Sequence, residues 1–507
     1  MITAEITAAV DGAGTLRTFY AADAGFVTEP TDTPANTAFA ASLTDPGSIA
    51  VTAFGDGRTG GATRLALGEM RLANVDGQYD GWLDFAFDGR PVVLRRGATA
   101  GAYPGSMQAV FTGTIEALTV TTKAVVVRLR DKQLIFDRKA LPNTYAGSNI
   151  AGNGIEGGPD DIKGQSKPRL FGYGFYLPAP CVSPQKAVYQ PNDGPLFSID
   201  AVYVAGDALT NAGDYPDSPS LLAATLTPGP TFVTCLAEGL FRLAADPGGK
   251  SVRCDAVQGG TPDVRTAGQI LKALALMAGL DPAEISTEDI AALDAANSSG
   301  IGLWITGDQT FTAAMDAVSG SVGAYYGFDG PGHLRMARLE APVGSPVLEI
   351  AENKILGNFE RRPASDGDIP TWSYTIRHSR IWSIDTDIAG SVPPGRRAYL
   401  ANEYRAERAE DPLIRAKHLL ATEGSADTLL VSGAAEEAAR RLELHKVRRD
   451  FFDVVVPDEV LNGVALKIMD LVLLRARRFG LAGGRLFRVL GITPQLSKGR
   501  TTLTLWG

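Results

Sequence analysis

Residues 485–507 constrain the fold of this chain more than any other stretch. A strand runs through Arg485-Leu-Phe-Arg-Val-Leu490, turns at Ser497-Lys-Gly-Arg500 and returns as Thr501–Trp506. The returning arm alternates, with Thr502 and Thr504 on one face and Leu503 and Leu505 on the other, which is the period of a half-buried strand. A sequence that finishes on such a strand, with an indole as its last large group, is expected to tie that segment into a sheet as the closing strand of a barrel.

The same grammar recurs upstream. Asp-Gly pairs at Asp11-Gly12, Asp56-Gly57, Asp76-Gly77 and Asp88-Gly89 punctuate short apolar runs, and that dipeptide favours tight turns between strands. The clearest hairpin is Met107–Leu118, a turn through Thr119–Lys123, then Ala124–Leu129. Ser148 to Gly164 is a Gly/Asn/Asp-rich linker. Beyond it, 167–257 reads as strands, including Phe197–Tyr203 and Ala208–Leu209 around Ala205-Gly-Asp207. Helical spacing appears at Thr266–Gly279, through Ile270, Leu271, Leu274 and Met277, then at Glu288–Ala296 and Thr310–Ser319. A hairpin follows, Val322–Phe328 with His333–Ala337 around Asp329-Gly330. Strands are expected over 346–400, including Thr371–Arg377 and Ile381–Ile384, then a helix at Ala434–Lys446 and strands at Phe451–Pro457 and Leu471–Arg475.

The fold class is therefore mainly β with α+β insertions, and 507 residues exceed one core. Five segments are expected: an N-terminal β-barrel-like domain (1–147), a β-rich domain (148–260), an α+β domain (261–345), a mixed β/helix connector (346–440) and a C-terminal β-barrel segment (441–507). Phe111-Thr-Gly-Thr-Ile115, a turn holding Lys123 and Val125–Leu129 echo Arg488-Val-Leu-Gly-Ile492, a turn holding Lys498 and Thr501–Leu505. Two similar hairpins also arise by chance in β-rich chains; a true duplication would mean two related barrels.

Chemistry is sparse. A net charge of −9 argues against a large basic face for gripping phosphates. Three cysteines (Cys181, Cys235, Cys254) form neither a metal-spaced pair nor an even disulfide set, which points to assembly in a reducing cytoplasm. The first residues lack a basic signal-peptide region, and no apolar run approaches the ~20 residues of a membrane span, so membrane insertion is not expected. Four histidines (His333, His378, His418, His445) share no metalloprotease spacing, and no G-x-S-x-G elbow occurs. Gly152-Asn-Gly-Ile-Glu-Gly157 matches G-x-G-x-x-G, yet follows a polar loop and precedes Gly158-Pro159 where a helix should start. Carboxylate pairs such as Asp385/Asp387 and Glu436/Glu437 are the number expected among 57 acids. The arginines of Arg475-Ala-Arg477-Arg478 and Arg448-Arg449 read as interface or solvated residues. No catalytic, cofactor-binding or metal-ligating set emerges, so no enzyme and no cofactor are expected.

Longer pieces of the chain fall in a recognisable order. The N-terminal ones are Ala35-Asn36, Asp45-Pro-Gly47 and Phe54–Arg64. The middle pieces are Lys167-Pro-Arg-Leu-Phe-Gly172, Pro178-Ala-Pro-Cys181, Tyr189-Gln190, Asp193-Gly194, Ser198–Tyr203, Gly213-Asp-Tyr215 and Thr234–Arg242. The C-terminal pieces are Asp470-Leu-Val472, Arg478-Phe-Gly-Leu481, Gly484–Ile492 and Thr501–Gly507. In these pieces the sequence resembles tail-tip (baseplate) hub proteins of long-tailed phages, prophages and gene transfer agents. The resemblance implies two tail-tube-type barrel domains per chain, and three chains closing a pseudo-sixfold ring that joins the tail tube to fibre or spike proteins. It implies as partners the tail tube, distal tail proteins, a central tip protein and the tape measure protein, with DNA passing through the lumen unbound. The location implied is the distal end of the virion tail, after assembly in the host cytoplasm. With the duplicated hairpin in mind, Trp506, Leu505, Leu503, Phe487 and Phe111 are the expected oligomer-interface residues. A hexameric distal tail protein and a tail-associated cell-wall hydrolase are the alternatives.

Overall fold

Period-two burial in Ile2–Ala9, where Ala4, Ile6 and Ala8 are fully buried, starts a seven-stranded antiparallel sheet. A computed structural model of the chain describes residues 1–55, 58–60, 67–97, 102–149, 153–357, 359–363, 369–385 and 388–507. The expected Asp56-Gly57 turn, the matching stretch Gly61–Arg64, Gly152 and Asp387 lie outside the described residues. In space the first sheet runs Leu16–Ala22, Ile2–Ala9, Pro91–Gly97, Met107–Val120, Ala124–Arg130, Leu67–Ala73, Leu43–Asp45. Its apolar face gathers Ile6, Leu72, Leu94, Phe111, Ile115, Val125 and Val127 into one core.

The C-terminal sheet runs Leu348–Ala351, Leu471–Arg475, Arg485–Gln495, Arg500–Trp506, Asp450–Pro457, Glu360–Pro363. The expected closing hairpin is its centre: Ile492 faces Leu503 and Val489 faces Leu505. Leu503, Leu505, Phe452, Val454, Phe487 and Val489 form its core.

The two sheets share a topology. In the first, four consecutive strands (67–73, 91–97, 107–120, 124–130) lie in the order second, third, fourth, first. In the second, 450–457, 471–475, 485–495 and 500–506 lie in the same order. All six neighbouring pairs inside these two sets are antiparallel. In both, the pairing of third and fourth strands carries a register shift, at Arg128/Leu129 and at Val489/Gly491, the local kink of a bulge. The flanks differ: Ile2–Ala9 lies antiparallel to the second strand in one copy, while Leu348–Ala351 lies parallel to it in the other. Among the described residues, strand pairing in each sheet runs from one edge strand to the other, and no closed barrel is detected.

The middle of the chain builds two five-stranded sheets and a helical layer. One sheet contains Arg169–Leu177, Ser198–Val204, Asp207–Ala208, Val252–Val257 and Gly302–Ile305; the other contains Cys181–Ser183, Val188–Tyr189, Thr210–Asp214, Thr231–Cys235 and Leu240–Leu243. The expected turn between Val204 and Asp207 is made by Ala205 and Gly206, both at positive φ, as a two-residue hairpin of this hand requires. Helices Ala267–Met277, Thr287–Ala296 and Phe311–Val322 begin where Thr266, Ser286 and Thr310 cap them with side-chain oxygens. The hairpin Ala324–Phe328 with Leu334–Arg338 follows, and Thr371–His378 sits between Arg405–Glu410 and Thr422–Asp427. The helix expected near 434–446 spans Ala434–His445.

Several expectations are corrected. Ile381–Ile384 forms no strand; only Ile381 bridges to Phe175, because Ile381 and Trp382 are drawn into apolar clusters rather than along a ladder. Pro394–Leu400 is a helix opened by Pro393 and Pro394, where the fixed φ of proline suits the first turn. Asp76-Gly77 and Asp88-Gly89 form turns, with φ of 72° and 68° at the glycines, but the strands flanking each turn do not pair with each other. Among the described members of the N-terminal set, Asp11-Gly12 alone joins a hairpin. Residues 348–363 supply both edge strands of the C-terminal sheet, and one apolar core runs from Phe136 to Ala438.

Candidate assembly surface

The five expected interface residues are all interior. Trp506 is 2% exposed, Phe111 2%, and Leu503, Leu505 and Phe487 0%. Phe111 belongs to the first sheet's core, and Leu503, Leu505 and Phe487 to the second's. Trp506 packs with Phe54, Tyr325, Leu444, Phe451 and Leu490, under the Arg449 guanidinium at 5.0 Å. In the single chain these five side chains fill the cores of the sheets.

What the geometry does bring together is the two related sheets. Val51–Thr52 pairs antiparallel with Gly491–Ile492, the Ala53 N–H donates to the Leu490 carbonyl at 2.9 Å, and Ser48 bridges Gln495. Leu496, in the turn of the C-terminal hairpin, is buried in the N-terminal core beside Ile49. Arg96 pairs with Asp458 at 2.6 Å across the same junction. Gly47 opens this connector at φ 81°, with its backbone against that of Glu69. Residues 47–54 thus bolt one sheet to the other. Sequence reasoning missed this role: a two-residue strand carries too little periodicity to read.

Other groups marked in the sequence are absorbed by structure. All three cysteines are free thiols, and burial pushes each above its usual range. Among the described residues no three His, Cys, Asp or Glu side chains are grouped to hold a metal. Burial lowers the His378 pKa. Arg475 pairs with Glu349 at 2.6 Å and Arg477 with Glu352 at 3.6 Å, so the basic run anchors the strand and turn of 348–354. Asp385 accepts from Tyr176 at 3.0 Å, Ser251 at 2.9 Å and Arg253 at 2.8 Å, which pins the 381–385 segment to the central sheet. Glu437 is buried, and hydrogen bonds from Arg440, with the charges of Arg440 and Arg441, outweigh burial and hold its carboxyl below the usual range.

Exposed apolar side chains mark the outer surface instead. Leu413, Leu419 and Leu420 stand 78%, 90% and 76% exposed between the outer strands 405–410 and 422–427. Val75 and Leu83 protrude from the 74–84 loop, and Val343 and Val347 from the approach to Leu348–Ala351. The signal for the first group was legible, since Leu419-Leu420 interrupts a polar stretch.

No protein-family model matches the chain, and no curated protein matches it by sequence. Among solved structures it is similar to a tail protein from Neisseria meningitidis MC58, at 9% identity and TM-score 0.44, covering 100% of this chain and 96% of that one. It is similar to the prophage tail protein gp18 from Listeria monocytogenes EGD-e, at 8% identity and TM-score 0.42, covering 100% and 94%. A chain of the virion of a native gene transfer agent particle matches at 16% identity and TM-score 0.43, covering 73% and 91%.

Proposed function

We propose that the chain is a structural protein of a phage-type tail, a hub that forms a ring at the distal end of the tail tube. The observation that carries this reading is the shared strand order of the two sheets, with the register shift at the same place in each. A chain holding two equivalent sheets, locked together through residues 47–54, can supply two quasi-equivalent positions to one ring. Three chains then present six positions, which matches a sixfold tube on one side and threefold fibre or spike proteins on the other. Cyclic closure leaves no free interface to propagate. The sequence resemblance to tail-tip hubs points to the same role, with distal tail, central tip and tape measure proteins as neighbours.

In this reading the work is mechanical: the ring joins the tube to the tip and lines the path by which DNA leaves. The acidic balance of the chain suits a lumen that does not trap DNA. Native mass spectrometry of the purified chain, with class averages from electron microscopy, tests the proposal. Three protomers with pseudo-sixfold averages are expected. Six protomers would favour a hexameric distal tail protein, and turnover of purified cell wall, lost on changing one acidic pair, would favour a hydrolase.

A further inference from the structure

The two related sheets agree in register as well as in strand order. Ala73 faces Ala124 as Pro457 faces Arg500, Val120 faces Val125 as Pro494 faces Thr501, and Pro91 faces Thr114 as Leu471 faces Arg488. The bonds outside the ladders match too. The Asn74 N–H donates to the Lys123 carbonyl at 2.9 Å, and the Asp458 N–H to that of Gly499 at 3.0 Å. Gly89 donates to Ile115 at 2.8 Å and Ile115 to Arg90 at 3.0 Å, as Met469 does to Val489 at 2.8 Å and Val489 to Asp470 at 2.9 Å. With the bulges aligned, Glu116, Ala117 and Leu118 of the first sheet correspond to Leu490, Gly491 and Ile492 of the second.

In the second sheet that stretch is a seat for a strand. The second strand of the set begins at Leu471, opposite Arg488, and leaves the far half of 485–495 free on that side. Val51–Thr52 takes the place: Val51 faces Ile492, Thr52 faces Gly491, and the Ala53 N–H donates to the Leu490 carbonyl at 2.9 Å.

The first sheet has the same gap. Its second strand begins at Pro91, opposite Thr114, and among the described residues no strand pairs with 116–120 on that side. The Thr121 N–H donates to the Ala124 carbonyl at 2.9 Å. Antiparallel pairs alternate from there, so Leu118 and Val120 turn their N–H and carbonyl groups away from the fourth strand. Glu116 and Thr119 are exposed and Ala117 is half-buried, whereas its counterpart Gly491 is buried. An edge with such donors and acceptors is a template for a further strand.

The chain itself displays the kind of occupant. The strand seated on the second sheet comes from the first, just after its edge strand Leu43–Asp45. Glu360–Pro363 holds the same edge position on the second sheet, antiparallel to its first strand. In a head-to-tail ring every unit gives on one side and accepts on the other. Within one chain the first sheet gives and the second accepts, so between chains the second must give and the first accept.

We propose that the edge 116–120 is where one chain of the ring meets the next, receiving an extended segment from the C-terminal-sheet side of a second copy of this chain. The inference rests on the ring reading and adds to it the residues of the contact.

The test is residue-resolved hydrogen exchange on the full chain, comparing monomer and ring separated by size exclusion. Leu118 should exchange freely in the monomer and be slowed by about tenfold or more in the ring. Thr119, whose N–H faces the fourth strand, should not change. Leu118→Pro removes an N–H that the first sheet does not use, at an edge where proline is tolerated, and should leave a folded monomer whose ring is weakened by about tenfold or more. Val120→Pro copies Pro494, which stands beside the filled seat of the second sheet, and should assemble normally. A ring in which Leu118 exchanges as fast as in the monomer, or one that forms undiminished from folded Leu118→Pro, would overturn the seat and leave the ring standing. Protection of Leu118 that appears only when a different tail protein is added would overturn it as well. A chain that stays monomeric at every concentration would overturn ring and seat together.

Discussion

Glu437→Gln is the sharpest probe of how the helix Ala434–His445 is held. The Glu437 side chain is 1% exposed and accepts from Arg440 Nε at 2.8 Å and Nη2 at 2.6 Å, and from Arg441 Nε at 2.7 Å. Arg338 stands 4.0 Å away. Both arginines continue outward: Arg440 Nη1 donates to the Leu339 carbonyl at 2.6 Å, and Arg441 Nη2 to the Gly320 carbonyl at 2.7 Å. The carboxylate therefore organises the contact between this helix, the end of helix Phe311–Val322 and strand Leu334–Arg338. Replacing it by an amide leaves nearly buried guanidinium groups without their counter-charge, which costs about 3–5 kcal/mol. Global unfolding of so large a chain is not two-state, so the measurement is hydrogen exchange by mass spectrometry. Amide protection in 434–445 should fall by about a hundredfold or more. The pH dependence fixes the cause. The folded pKa of Glu437 lies below its ordinary 4.5, so its stabilisation is complete above that value and is lost as pH falls through the folded pKa. The difference between wild type and variant, corrected for intrinsic exchange, should be level from pH 7 to 5.5 and shrink in more acidic solution. A loss under 1 kcal/mol, or a difference that persists unchanged at pH 3, would refute the network as the source of stability.

Leu503→Ala empties a fully buried position and should destabilise the C-terminal sheet by about 2–5 kcal/mol, read as lost protection in 450–457 and 485–495. Deletion of 503–507 removes the strand between 485–495 and 450–457, so soluble deleted chain should form no trimers; a trimer in native mass spectrometry would contradict the assembly reading. Gly47→Ala places a Cβ on the Glu69 carbonyl oxygen at a φ of 81°, and should raise exchange in 48–54 and at 490–496 together; a change confined to 47 would separate the connector from the C-terminal sheet. Arg96→Ala breaks a junction pair whose arginine is 42% exposed, and the protection energy of amides in 48–54 and 490–496, read by hydrogen exchange, should change by no more than about 1 kcal/mol.

Local pattern determined a great deal here. The alternation of Val125, Val127 and Leu129, and of Leu503 and Leu505, sets which side chains turn inward, and the structure buries those. Helix starts at Thr266 and Thr310 were legible because capping oxygens act within three residues. The duplicated hairpin was visible as an echo, yet its meaning needed the full strand order, since a returning first strand pairs across more than forty residues in each sheet. Ile381–Ile384 misled because an apolar, extended segment reads the same whether it joins a ladder or packs alone. A related limit applies at the last strand: a sequence shows that Trp506 must be buried, but not against what. Period and propensity are properties of a few consecutive residues, and they determined the strands, helices and inward faces. Which strands meet, and that residues 47–54 lock two sheets together, are outcomes of long-range packing that only the tertiary structure decided.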